Sequence, residues 1–545
     1  MSDTERLDPT AYDYVVVGAG SAGCAIAGRL STRPDVRVLL IEAGPRDDHP
    51  LIHIPRGFPY LTRNPRYAWN FMTEPQPHRN FGPEMWPRGK MLGGSSSING
   101  MIYSRGHPQD YESWVAAGNP GWGWSEVLPC FKAMEDHSLG ASETRGAGGP
   151  MHVTAGKARS DLSEHLIAAG VQMGLPRAED LNTPSLEGIG YCASNTYGGR
   201  RFSAARAYLK RRPNLKVATE TEVDQVVFRD GRAIGVRGRG PSGKVRYQAR
   251  GEVVVSAGAL LSPKLLQLSG IGDGPMLRSM GIEVRHANSH VGAHMLDHIG
   301  VAMPHRMTGA RGLNPELRGL GLARSIMRYL LFRDGVLATA GEVGAFVRLH
   351  AESMRPDAQL ALLSLSLQPT RPGRFMGDVE RSPGFQVMAY VLHGTSEGTV
   401  TLASPDAAAH PRLQPNSLST EHDRQSIVAL VKYIRRLVSQ QALASVGGEE
   451  AAPWRDAHSD DEILSLALLR ARNCNHAVGT CRMGPEGVGV VDERLRVRGV
   501  GGLRVADCSV MPSLPSGNTN GPAQMVGWRA AELILEDRDR PALSA

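Results

Sequence analysis

The sequence predicts a mixed α/β fold of two interleaved domains, one on a parallel sheet and one on an antiparallel sheet with helices. Three observations predict it. The strand-like run Tyr12–Val17 passes through a Gly-rich turn into a helical pattern, Cys24–Leu30, and a second buried strand, Val36–Ile41. Strand, helix and strand in that order open a parallel sheet. Residues 340–402 instead read as alternating strands followed by a helix over 420–442, and the 545 residues exceed what one core organises.

The elements follow in order. Residues 43–110 are rich in Pro, Gly and Trp with little periodicity, the mark of a long segment that wraps a ligand. Residues 214–257 read as short strands, with turns at Arg229-Asp-Gly231 and Gly240-Pro-Ser-Gly243. Residues 316–333 form an amphipathic helix, and 472–530 are Gly-rich before a last helix that ends near Glu536. The expected nucleotide domain is discontinuous, over 11–160, 215–310 and 470–540. The second domain takes 161–214 and 311–469.

Composition narrows the function classes. Hydrophobic residues make up 41% and charged residues 21%, so the chain buries a large core. A net charge of +7 on this length, with 6% aromatics, is no nucleic-acid stripe. Six cysteines without a CxxC pair read as reduced thiols. Cys474, His476 and Cys481 match no common zinc spacing, so no metal is expected. The first residues lack a basic, then apolar, leader, and the longest apolar stretch, Leu360–Leu367, is too short to span a bilayer. A cytoplasmic protein is expected.

The turn Gly18-Ala-Gly-Ser-Ala-Gly23 carries a physical role at each glycine. Gly18 permits the tight turn, Gly20 lets a pyrophosphate approach the backbone, and Gly23 lets helix and strand pack closely. The N-terminus of the helix that follows offers unpaired N–H groups to the phosphates. Glu42, at the end of the second strand, is placed to accept hydrogen bonds from ribose hydroxyls. The motif alone does not separate FAD from NAD.

Four further segments do. Gly89-Lys-Met-Leu-Gly-Gly-Ser-Ser-Ser-Ile-Asn-Gly100 and Gly258-Ala-Leu-Leu-Ser-Pro-Lys-Leu-Leu-Gln-Leu-Ser-Gly-Ile-Gly272 resemble the two signatures of the glucose-methanol-choline (GMC) oxidoreductases. His476-Ala-Val-Gly-Thr-Cys-Arg-Met-Gly484 and Pro515-Ser-Gly-Asn-Thr-Asn-Gly521 resemble that family's active-site blocks. The resemblance runs from about 12 to 536 and is strongest to choline-dehydrogenase-like bacterial members. It implies a Rossmann-like FAD-binding domain beside a substrate-binding domain. It places Gly18, Gly20, Ser21, Ala22, Gly23, Glu42, Trp69, Gly94, Asn99, Gly100, Met101, Ile102, Val223, Asp507, Asn518 and Thr519 around FAD. Some members bond FAD to a histidine in the Gly-Gly segment. Here that position is Ile98, so the resemblance implies non-covalent FAD.

The implied reaction is oxidation of an alcohol to an aldehyde or ketone, with hydride passing to flavin N5. His476 matches the family's base, and Asn520 matches the position that bonds the substrate oxygen. Asn475 and Ala477 depart from the aromatic and proline common around that base, so the substrate does not carry over from choline enzymes. A cyanohydrin-lyase use of the fold stays open. The implied partners are a small alcohol and an electron acceptor, which is oxygen, a quinone or a carrier protein.

Helix 316–333 carries Arg318, Arg324, Arg328 and Arg333 beside Leu317, Leu320, Ile326, Leu330 and Leu331, with Arg306 and Arg311 ahead of it. A basic amphipathic helix can touch anionic lipid on the inner face of a membrane. The commoner arrangement is a solvated arginine face over core leucines, and weak peripheral contact at most is expected.

Overall fold

A computed structural model of the chain describes residues 6–157, 160–310, 312–339, 341–368 and 376–540. Strand β1 (Arg6–Val17) lies parallel to β2 (Val38–Ile41), and β2 lies parallel to β3 (Leu215–Ala218). An antiparallel meander follows, β4 (Glu222–Arg229), β5 (Arg232–Gly240) and β6 (Gly243–Val255). Strand β6 returns to pair in parallel with β1, and its end, Val253–Val255, also pairs in parallel with Leu503–Val505. Val15, Val16, Leu39, Leu40 and Val253–Val255 are fully buried. Such unbroken apolar runs are what a parallel sheet covered on both faces requires. Helix α1 (Ser21–Leu30) packs on the C-terminal helix so closely that a Cβ on Gly527 would stand 2.4 Å from the Ala22 carbonyl oxygen.

The second sheet is antiparallel at its centre. It holds β7 (Ile299–Arg306), β8 (Val343–Val347), β9 (Ala358–Leu363) and β10 (Gly384–Val391), in spatial order β7-β10-β9-β8. Helix α2 (Gly319–Phe332) stands apart from it, whereas α3 (Glu421–Val438) packs on it. In α3, Ile427, Leu430, Val431, Ile434 and Leu437 recur at helical spacing and are almost wholly buried. Thr420 caps α3 by accepting from the Asp423 N–H, and Arg435 and Arg436 sit in its last turn, where the dipole favours cations. The last helix among the described residues is α4 (Asn520–Asp539).

Two cores divide the chain differently from the expected boundaries. Ala193, Phe202, Ala204 and Tyr208 belong to the first core, although 161–214 was expected in the second domain. Tyr208 docks on Gly28 of α1, where a Cβ would lie 2.8 Å from the Tyr208 Cβ. Strand β7 and its partner Arg472–Asn473 belong to the second sheet, although both were expected in the nucleotide domain. Strand periodicity does not say which sheet a strand joins.

Helix α2 forms where the periodicity places it, but its leucines do not meet the core. It buries only Ser325 and Tyr329, while Leu320, Ile326, Leu330 and Leu331 are exposed. Arg311, grouped with this helix in the sequence, lies outside the described residues.

Candidate active site

A cavity of about 630 Å³ lies between the sheets, walled by the first sheet's turns on one side and by β7, β9 and β10 on the other. The Gly-rich turn forms one end. The Gly18 N–H donates to the Ile41 carbonyl over 2.8 Å, with φ +100 at Gly18. A Cβ on Gly23 would stand 1.9 Å from the Gly18 carbonyl oxygen, so only glycine lets α1 begin there. Gly20 lines the cavity, and a Cβ there would meet nothing within 4 Å. The 89–100 segment closes over this turn. The Gly93 N–H donates to the Ala19 carbonyl at 2.8 Å, and a Cβ on Gly94 would stand 2.7 Å from the Gly20 Cα.

Ser21, Ala22, Glu42, Trp69, Asn99, Gly100, Met101, Ile102, Val223, Asp507, Asn518 and Thr519 all line the same cavity. Glu42 is buried, and its carboxylate accepts from the Ala19 and Gly44 N–H groups at 3.0 and 2.9 Å. Burial pushes its carboxyl up to about 7. Asp507 accepts from the Gly258 N–H at 2.8 Å, the Ser262 hydroxyl at 2.6 Å and the Ser509 N–H at 2.8 Å. It therefore ties the second signature to the C-terminal block. Met101 takes a left-handed φ of +62, uncommon for such a side chain, and its N–H donates to Asn99 at 3.0 Å. Ile98 reaches the cavity wall with an aliphatic side chain.

His476 stands at the other end, where hydrogen bonds fix its tautomer. His298 Nε2 lies 3.2 Å from the Leu392 carbonyl oxygen, which can only accept. His298 therefore donates from Nε2, and its neutral ring accepts at Nδ1. The His476 Nδ1, 2.9 Å away, must then donate. That leaves the lone pair of His476 Nε2 on the cavity side, where it accepts from the Asn518 amide. The Asn518 amide nitrogen is 3.2 Å from that atom. Asn518 is oriented in turn by Gln359, whose amide donates to its Oδ1 at 3.2 Å, and Gln359 accepts from the Tyr390 hydroxyl. Burial first, then the charge of Arg88, pushes the His476 imidazole down to about 3. Burial holds His298 well below the usual histidine range.

The amide that meets His476 is thus that of Asn518 and not that of Asn520. Asn520 is the first residue of α4, and its side chain turns to the dinucleotide end. Its Oδ1 accepts from the Ser21 hydroxyl at 2.8 Å and its amide donates to Asn195 at 3.1 Å. Asn518 precedes the helix, in a loop pinned where Asp110 accepts from the Ser516 N–H at 2.6 Å.

Two matches to one family description, GMC oxidoreductase, cover residues 12–300 and 394–527. The chain belongs to the GMC oxidoreductase family. An alcohol dehydrogenase (acceptor) of Pseudomonas putida is 37% identical over 98% of this chain and 97% of the relative. A mitochondrial choline dehydrogenase of Homo sapiens is 39% identical over 97% of this chain and 91% of the relative. Among solved structures, pyridoxine 4-oxidase from Mesorbium loti superposes with a TM-score of 0.85 at 29% identity, covering 97% of this chain and all of that one. This GMC oxidoreductase is accordingly an FAD-dependent enzyme. The cavity fits the group: a Cβ on Gly20, Gly100 or Gly258 would project into open space at its wall, where a cofactor needs bare backbone.

Several residues of this GMC site escaped sequence reading. Asp297 accepts from the His476 N–H at 2.8 Å, and burial pushes its carboxyl up to about 7. Arg88 is buried beside it and donates to Asn475, which takes a φ of +63. Arg201, fully buried and pushed down to about 9 by that burial, donates to Asn99 at 2.8 Å and holds the first signature from behind. Asp297 and His298 did carry a signal: two ionisable residues between Leu296 and Ile299, at the mouth of a buried strand. Arg88 directly precedes the first signature.

Proposed function

We propose that this enzyme oxidises an alcohol CH–OH to the aldehyde or ketone. FAD, when bound, supplies the two-electron acceptor that takes the hydride. Gly18, Gly20, Ser21, Ala22, Gly23, Glu42, Trp69, Gly94, Asn99 to Ile102, Val223, Asp507 and Thr519 hold it, and Ile98 leaves it without a covalent bond. His476 accepts the hydroxyl proton at Nε2. Asn518 hydrogen-bonds the substrate oxygen and steadies the charge that grows there as the proton leaves. Asn520 holds the start of α1 against α4.

The observation that carries this reading is the pair of His476 Nε2 and Asn518 Nδ2, 3.2 Å apart on the cavity wall, with the histidine tautomer set from behind. A base and an amide donor converging on one open position are what an alcohol oxygen needs. The cavity wall on the second sheet is amide and apolar, with Gln359, Gln386, Leu363, Met388 and Ala302. Neutral alcohols are therefore the first substrates to try, with choline as the cationic comparison. Oxygen, a quinone or a carrier protein takes the electrons afterwards.

An anaerobic panel of alcohols, read by bleaching of the flavin absorbance, tests this. Bleaching by at least one alcohol is expected, and reoxidation by oxygen or by a quinone analogue then identifies the acceptor. Acid precipitation should leave the flavin in the supernatant. A flavin that no alcohol reduces, while dithionite does, would overturn the proposal.

A further inference from the structure

Helix α2 leaves an apolar stripe exposed beside its exposed arginines. Leu320, Met327, Leu330 and Leu331 fall on one stripe of the helix at spacings of seven, three and one, with Ala323 between them. The stripe faces away from the protein: Leu320 is 87% exposed, Leu331 65% and Phe332, at the helix end, 72%. Isolated exposed leucines need no explanation, but a contiguous exposed stripe does. The inward side holds Ser325, whose hydroxyl donates to the Glu316 carbonyl at 2.9 Å, and Tyr329, whose hydroxyl donates to Gly199 at 3.0 Å.

The charges around the stripe have one prevailing sign. From Glu316 to Asp334 there are four arginines and two acids. Arg324 and Arg328, one turn apart, flank the stripe on one side. Arg328 pairs with Asp334 at 3.2 Å, and the Arg333 guanidinium stacks over Tyr329 at 5.3 Å. No helix among the described residues is long and apolar enough to cross a membrane.

We infer that α2 docks the enzyme on an anionic lipid surface. It lies in the interface with Leu320, Met327, Leu330 and Leu331 among the acyl chains and its arginines at the phosphate level. Charge favours lipid over a second copy of this chain. A two-fold contact through the same stripe would bring the Arg324 and Arg328 pairs of both copies together. The docked helix would also stand one side-chain layer from the cavity: Tyr329 packs in a cluster with Leu365 and Leu367, and Leu367 lines the cavity wall.

Flotation of the FAD-loaded full chain with vesicles tests the inference. The vesicles are phosphatidylcholine alone, or with one part in four phosphatidylglycerol. Binding to the anionic vesicles is expected at low salt, falling severalfold on going to about 0.5 M. Arg324→Gln with Arg328→Gln should weaken partitioning by roughly fivefold per arginine. Met327→Ser with Leu331→Ser should abolish flotation while the flavin content stays unchanged. Four outcomes would overturn the inference: no flotation, flotation unaffected by these variants, equal binding to neutral vesicles, or a vesicle-free dimer that the serine variant splits.

Discussion

His476 and α2 break the same rule in opposite directions. At His476, polar and ionisable groups from distant segments are sealed in the interior. Along α2, large apolar groups are left outside. The first inversion is compensated within the chain: each buried ring or amide from Tyr390 to Leu392 has a partner that fixes its orientation. The second has no such partner, because its inward face is already filled by Ser325 and Tyr329. A buried polar network completed by its own protein is built for chemistry. An apolar stripe left uncovered is built for something outside the chain.

The largest expected effect breaks the first region. His476→Ala removes the proposed proton acceptor, and general-base catalysis is worth about 10²–10⁴-fold. The protein should fold and keep its flavin, and dithionite should still reduce it, while reduction by substrate in anaerobic stopped flow collapses. Near-normal reduction by substrate would move the base elsewhere.

Next in size is the test that separates the two asparagines. Asn518→Ala removes the amide proposed to meet the developing alkoxide, a loss on the order of 2–4 kcal/mol, or roughly 30- to 1000-fold in the reduction rate. Asn520→Ala should instead act on cofactor retention, through Ser21 and Asn195, and leave the rate of the loaded enzyme within about threefold, well under one tenfold step of 1.4 kcal/mol. A reversed ranking would restore Asn520 to the catalytic pair.

This pair also shows what was legible. Gly18, Gly20, Gly23 and Glu42 could be read because one βαβ unit holds them close in sequence. In Asn518-Thr-Asn520 both asparagines suit the chemistry, and the deciding fact is that α4 begins at Asn520 and turns it toward Ser21. A helix start is legible only to within a residue or two. His298 stood hidden for a different reason. It lies 178 positions from His476, and only the meeting of the two sheets brings the rings together. In α2 the period was legible, but a period does not say which face meets the core.

A smaller effect is expected from pH. Because the His476 imidazole is pushed down to about 3, it is already neutral throughout the working range and contributes no inflection above about pH 5. Asp297, pushed up to about 7, is neutral below that pH and anionic above it, where its charge offsets that of Arg88, which otherwise disfavours a proton on the His476 imidazole. The reduction rate should therefore rise severalfold through a midpoint near 7, and Asp297→Asn should flatten it. An unchanged midpoint in that variant would assign the titration to another group.

The smallest expected effect sharpens the contrast most. In α3, Ile434 is fully buried in the second core, so Ile434→Ala leaves a cavity and costs about 2–5 kcal/mol. Met327 and Leu331 of α2 are larger or similar in apolar surface, yet they are 58% and 65% exposed. Replacing both by serine removes little packing, and surface changes of this kind stay within about 0.5 kcal/mol each. Serine's poorer helix propensity adds only a few tenths of a kcal/mol per site. Urea unfolding of the loaded enzyme, read by both flavin release and far-UV signal, should thus place the serine double variant close to the parent and Ile434→Ala well below it. A serine variant as unstable as Ile434→Ala would mean that the stripe is covered by the protein itself in solution. The two regions would then differ in degree of burial and not in kind.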